Sequence, residues 1–412
     1  MGLTPKTPIQ TQGKDGQRRR RLFINLSIFI FLAVLVGILL TRTERSPEQS
    51  SRAETESTGL LSVSPLSRDT LKGPSANENA ASEFSAALKR TKARLPSELQ
   101  LDAAELTERV TSADVVARNR ALERFKNQLM ALEALDPELD SLALLLREID
   151  PSADAFASLV AAAGAVPVPA VQKVFLNLLT ERNADWKTFS AVVPVLGGVL
   201  YPQQETLDYL SKIAREAEGD FSSTAALALG GSAYTLSKTH PARSERLLEN
   251  YISVLTDQRS GTEDIKLALA VLGNAGLAAT AEPILNLTRH SRTDVRAEAV
   301  MALRFMGSPD AERRLLQILE SDEHPDVRIR VTDALVHRPL NDNTLLVARR
   351  ILADAKDEPL VIREKVLDLI MHFVFSEEQS RDIRNWLLGL AESESDMRLK
   401  KMLLDAAQKT IK

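Results

Sequence analysis

Residues 294–306 read DVRAEAVMALRFM, and residues 326–338 read DVRIRVTDALVHR. Both open on Asp-Val-Arg and then place apolar residues at the three- and four-residue spacing of one helix face. Looser copies stand at 264–276 (DIKLALAVLGNAG), 361–373 (VIREKVLDLIMHF) and 396–408 (DMRLKKMLLDAAQ). The central apolar residues of the five openers are Ile265, Val295, Val327, Ile362 and Met397, so the steps are 30, 32, 35 and 35. A second helical pattern, such as AERRLLQILES at 311–321, lies between openers. This is a helix–turn–helix repeat with the period of a solenoid. One hairpin cannot bury its apolar face alone, so successive hairpins must stack. The opener has a physical reading. Asp at the N-cap accepts hydrogen bonds from first-turn amides and suits the positive end of the helix dipole. The next residue points into the stack, and the Arg reaches the neighbouring repeat's Asp.

The helical pattern extends upstream. From residue 96 to the end, apolar residues recur at helical spacing, broken every 10 to 20 residues by Pro, Gly, Asn or Asp. LERFKNQLMALEAL stops at Asp136-Pro137, and LDYLSKIAREAEG stops at Gly219. No stretch alternates as a strand would. The expected fold is all-α: a right-handed superhelix, or α-solenoid, of HEAT-like hairpins over 96–412.

The 412 residues carry a net charge of −4, with acids and bases interspersed, which argues against a nucleic-acid binder. There is no cysteine, so disulfides and thiolate metal sites are excluded. Aromatics make up 4%, which suits stacked helices better than sheets or an aromatic cage.

The N-terminal part differs. Residues 22–41, LFINLSIFIFLAVLVGILLT, are 20 uncharged residues, of which fifteen are Leu, Ile, Phe or Val. As a helix they would be roughly 30 Å long, the thickness of a bilayer core. This reads as a single transmembrane helix preceding the solenoid. Arg18, Arg19, Arg20 and Arg21 precede it, so the positive-inside rule keeps the basic tail 1–21 in the cytoplasm and puts the body outside. The expected setting is a bacterial inner membrane with the body facing the periplasm. Residues 42–95 form a Ser-, Glu- and Pro-rich tether too polar to repay ordering. Near its end, Ala80, Phe84, Ala87, Leu88 and Leu95 make a weak amphipathic pattern, the mark of a first helix.

Several stretches between about 155 and 310 carry a resemblance. They are Ala163-Gly164-Ala165 with Pro167, Tyr201-Pro202 before Glu205-Thr206-Leu207, and Leu229-Gly230-Gly231-Ser232. The most specific is Leu272-Gly273-Asn274-Ala275-Gly276-Leu277, followed by Val295-Arg296 and Ala302-Leu303. Together they resemble the helical domain of the large lipid transfer proteins: vitellogenin, microsomal triglyceride transfer protein and apolipoprotein B. The resemblance implies an array of helices. It does not imply a lipid cavity, because in that family lipid is held mainly by flanking β-sheets.

No stretch carries a catalytic or metal signature. His240, His290, His324, His337 and His372 form no HExxH, and there is no GxSxG or Ser-x-x-Lys. Gly230-Gly231-Ser232 has neither the preceding strand nor the Lys of a phosphate loop, so it reads as close helix packing. Gly273 and Gly276 read as a tight contact and a left-handed cap, with Asn274 bonding nearby backbone. Arg and acid residues between 289 and 363 read as ladders and surface pairs. Asn286-Leu287-Thr288 is a glycosylation sequon only if the chain enters a eukaryotic lumen. The expectation is therefore no enzyme and no catalytic, metal or cofactor residue. It is a membrane-anchored scaffold binding a protein partner through a surface that the sequence does not assign, with lipid or lipoprotein handling as the alternative.

Overall fold

The computed structural model describes residues 95–182, 185–354, 356–373 and 375–410; the tail 1–21, the apolar stretch 22–41 and the tether as far as residue 94 lie outside them. Among the described residues every regular element is a helix, and no helix is long and apolar enough to cross a membrane. The chain divides into two compact units, Met1–Gly198 and Val199–Lys412.

The first unit holds α1 (Ala103–Val110), α2 (Val115–Glu133), α3 (Asp140–Glu148), α4 (Asp154–Gly164), α5 (Pro169–Glu181) and α6 (Trp186–Gly198). Local chemistry sets the starts. Asp102 accepts the Glu105 N–H at 2.8 Å, Asp114 accepts those of Val116 and Ala117, and α5 begins on a proline. The turn after α2 includes Asp136-Pro137, where the sequence placed a stop. Helices α2, α4 and α6 pack as one layer, and α1, α3 and α5 as another. Phe125, Phe156, Phe175 and Phe189 are fully buried between them. Burial of such side chains contributes about 1.5–3 kcal/mol each. A Cβ on Gly164 would run into the Val195 side chain, so α4 and α6 depend on that glycine.

The second unit holds α7 (Gln204–Glu216), α8 (Gly219–Ser237), α9 (Pro241–Thr256), α10 (Thr262–Ala275), α11 (Ala281–Leu287), α12 (Thr293–Ala302), α13 (Pro309–Ser321), α14 (Pro325–Leu335), α15 (Asp342–Ala353), α16 (Leu360–Met371), α17 (Glu377–Ser393) and α18 (Met397–Lys409). The even-numbered helices α8 to α18 pack successively as one layer. In the other layer α9, α11, α13 and α15 follow one another in the same way. The openers start the even-numbered helices from α10 onward, and Val295, Val327 and Ile362 are fully buried.

The structure corrects three details of the opener. Only Asp396 is a true N-cap, accepting the Arg398 and Leu399 N–H groups; Asp294 and Asp326 lie one residue inside their helices, beyond the capping position. In the last repeat Met397 is 77% exposed and Leu399 takes the core position, because the cap at Asp396 shifts the register by two. The opener arginines do not bind the next opener's Asp. They bind an acid two to four residues ahead of the next opener, as follows.

Candidate functional site

Three opener arginines are buried at the seams between repeats. Arg296 donates through Nε and Nη2 to the Asp322 carboxylate at 3.0 and 3.2 Å, and through Nη1 to the carbonyls of His290 and Ser291. Arg328 donates to the Leu319 carbonyl and to Glu358, both at 2.6 Å. Arg363 donates to the Leu352 carbonyl and to Glu394. Arg328 and Arg363 thus pin the end of the helix before their own, and Arg296 the turn after it, to the loop that leads into the next even-numbered helix. The acids also serve the backbone: Asp322 accepts the His324 N–H and Glu394 accepts the Asp396 N–H. Burial pushes the Glu394 carboxyl up, but the hydrogen bonds from Arg363 and Asp396 outweigh it and hold the pKa below the usual carboxylate value.

A fourth buried arginine has no carboxylate. Arg304 donates through Nη2 to Asn274 Oδ1 at 2.6 Å and through Nη1 to the Met301 carbonyl at 2.8 Å. Its guanidinium lies 4.5 Å from the Phe305 ring centroid, and its Nε is buried without a partner. Burial, with Arg330 adding to it against Glu298, lowers its pKa to about 10. Asn274 also donates to the Leu227 carbonyl at 3.4 Å, so one side chain links α8, α10 and the turn after α12. The neighbouring glycines make this possible. A Cβ on Gly273 would stand 2.7 Å from the Ala302 Cα, and one on Gly230 would strike the Val271 carbonyl. Gly276 closes α10 in the left-handed region at φ 58°. The expected roles of Gly230, Gly273, Asn274 and Gly276 are all observed.

The histidines do not converge, and among the described residues no group of three or more His, Cys, Asp or Glu is placed to hold a metal. His240 and His324 are exposed at helix starts, and His290 accepts the Arg292 N–H. His337 packs on Phe305 with ring centroids 5.3 Å apart. Burial first, then Arg304 and His372, lowers its pKa to about 4, with Asp333 opposing. Phe305, His337 and His372 each lie ten residues after Val295, Val327 and Ile362, one position shared by three repeats. Asn286 of the sequon is exposed, while the Thr288 hydroxyl is buried between Leu285 and Arg314.

Outside the seams, charges on neighbouring helices neutralise one another. Lys266 pairs with Asp294, Glu298 with Arg330 and Glu364 with Arg398 in the even layer. Arg350 with Glu320 and Arg349 with Asp382 do so in the odd layer. A family model described as the vitellogenin TPR domain matches residues 75–344, more than half of the chain.

The chain belongs to the vitellogenin TPR domain family.

In this vitellogenin-type domain the LGNAGL stretch is the three-helix junction just described. No curated protein sequence matches the chain. Similar solved structures include an archaeal HEAT-like repeats protein from Thermococcus onnurineus NA1, at 15% identity over 58% of this chain and 98% of that one, with a TM-score of 0.31. Kap121p is similar at 14% identity over 80% and 38%, with a TM-score of 0.37. A designed armadillo repeat protein in complex with the peptide (KR)4 is similar at 17% over 57% and 99%, with a TM-score of 0.26.

Sequence reasoning missed Arg304 and the true partners of the opener arginines. The signal for the latter is present: Asp322, Glu358 and Glu394 each stand just ahead of an opener.

Proposed function

We propose that this protein is a non-catalytic scaffold whose helical array binds a protein partner, held beside a membrane by residues 22–41. The observation that carries the reading is the use of the buried polar groups. Arg296, Arg328, Arg363 and Asn274 are all engaged in joining repeats. That leaves the outward helix faces, extended repeat by repeat, as the surface on which to act. The basic run at 18–21 favours a cytoplasmic N-terminus and a body on the other side, which we assign to the periplasm. A phosphatase reporter fused after Lys412, active only after export, should be active in a bacterial host. An inactive but expressed fusion overturns the orientation. Membership of the vitellogenin TPR domain family favours a second reading, in which the array handles lipid or lipoprotein. Lipid extraction from the purified protein, with crosslinking and pull-down from membrane extract, separates the two. A protein partner without stoichiometric lipid sustains the scaffold, and stoichiometric lipid replaces it with the second reading.

A further inference from the structure

Helices α12, α14 and α16 are joined at both ends, by different chemistry. In their first turns stand Arg296, Arg328 and Arg363, each bound to an acid. Nine residues later in each repeat come Phe305, His337 and His372, roughly 14 Å further along at helical rise. The His337 ring lies against Phe305 with the planes tilted by 60°, and the Arg304 guanidinium lies over the same Phe305 ring. Arg338, next to His337, donates to the Leu303 carbonyl at 3.1 Å and to the Met306 carbonyl at 2.5 Å. The turn after α14 therefore closes on the turn after α12 through a ring contact and a guanidinium clamp.

Cations prevail at this closure. Facing His337 are Arg304 from the turn after α12, His372 from the turn after α16, and Asp333 from its own helix. Arg338 faces Glu312. Arg304 faces Arg330 and Glu298, which pair with each other. Asp368, one turn before His372, pairs with Lys365. A proton on His337 therefore adds a positive charge beside a buried guanidinium. A neutral ring can rest against Phe305, but an imidazolium there is drawn toward water. The starts of the helices are held by arginine and carboxylate, which ordinarily keep their charges from pH 5 to 7. Of the histidines near those starts, His324 has Glu323 at 3.6 Å to receive its charge, and His290 meets the backbone N–H of Arg292.

We propose that the far ends of α12 and α14 form an acid-operated joint: protonation of His337 releases the turn after α14 from Phe305 and Arg304, and the helices part there while the arginine–acid pairs at their starts hold. Acid then alters the angle between successive repeats before it unfolds them. The inference stands whatever the array binds.

Amide exchange of the full-length protein, corrected for the intrinsic effect of pH, reads the opening segment by segment. Burial first, and Arg304 next, lowers the His337 pKa from 6.5 to about 4, so the open form should gain about tenfold between pH 6.5 and 5. The amides of 303–306 and 336–338 should lose protection by about that factor, and those of 296–299 should keep theirs. His337→Phe, which keeps a ring against Phe305 and takes no proton, should abolish the response. Equal loss at both ends, no loss at either, or a response kept in His337→Phe overturns the proposal. The cysteine-free chain gives a second reading. Met306→Cys at the joint and Val295→Cys at the helix start, both at fully buried positions, are labelled separately with a pyridyl disulfide. The ratio of the first rate to the second should rise about tenfold over the same pH step, and a constant ratio overturns the joint.

Discussion

The two units join their repeats differently. Among the described residues of the first, four phenylalanines are fully buried and no arginine is. Its nearest approach to a polar seam is Arg182, half-buried, which donates to the carbonyls of Leu146, Arg147 and Ile149 and lies over Phe156. In the second, no phenylalanine is fully buried, yet Arg296, Arg304, Arg328 and Arg363 are buried at 8, 5, 7 and 3% exposure. Apolar filling tolerates some sliding of one helix on another. A buried guanidinium hydrogen-bonded to both a fixed carbonyl and a fixed carboxylate does not. The second unit therefore sets its register by hydrogen bonds, and the first by shape.

The contrast can be broken most severely by placing an unpaired charge in the stack. Leu272→Asp and Val295→Asp should each unfold the second unit, since a buried unpaired charge costs several kcal/mol. A melting temperature unchanged in both would refute the repeat register. In the first unit, Phe156→Ala should cost about 3–5 kcal/mol through cavity formation, measured by denaturant unfolding. At a seam, Glu394→Ala leaves Arg363 buried and unpaired, and should cost about 3–5 kcal/mol by the same measurement. The paired replacement Arg363→Met/Glu394→Leu should recover most of that loss.

Two pH dependences sharpen the comparison. The folded-state pKa of Glu394 is lowered, so its contribution is present above the unfolded value near 4.5 and is lost as pH falls through the folded value. His337 works from the opposite starting charge. Its pKa falls from 6.5 to about 4 on folding, so the unfolded chain binds the extra proton between those values. Stability should decline as pH falls from 6.5 toward 4 and be unaffected by this group above 6.5. The variant His337→Phe should show a shallower decline of the thermal midpoint over that range. An identical slope would remove His337 from the account. The smallest effect belongs to the surface: Asp382→Ala, which removes the exposed partner of Arg349, should cost less than about 1 kcal/mol.

Much of the second unit was legible in the sequence because its period is carried by one residue type in one place. Val295, Val327 and Ile362 mark the buried turn of each even-numbered helix, and Gly273, Asn274 and Gly276 have few structural alternatives in that order. Met397 misled because Asp396 copies the opener while capping the helix directly, which moves the core position to Leu399. Arg304 was illegible because nothing in its local spacing points to Asn274, thirty residues away. The first unit has no repeated triplet, so its helices could be anticipated but not their pairing. The proposed binding face was not legible, since a face of that kind would be written in surface shape rather than in a motif.

The central claim, that paired arginines and acids lock successive repeats, is tested most directly by a double-mutant cycle on Arg363 and Glu394. Stability is measured for the wild type, Arg363→Met, Glu394→Leu and the double variant. A locking pair should give a coupling energy of about 3 kcal/mol or more, the double variant being far more stable than the sum of the single losses allows. Additive losses, with coupling near zero, would contradict it.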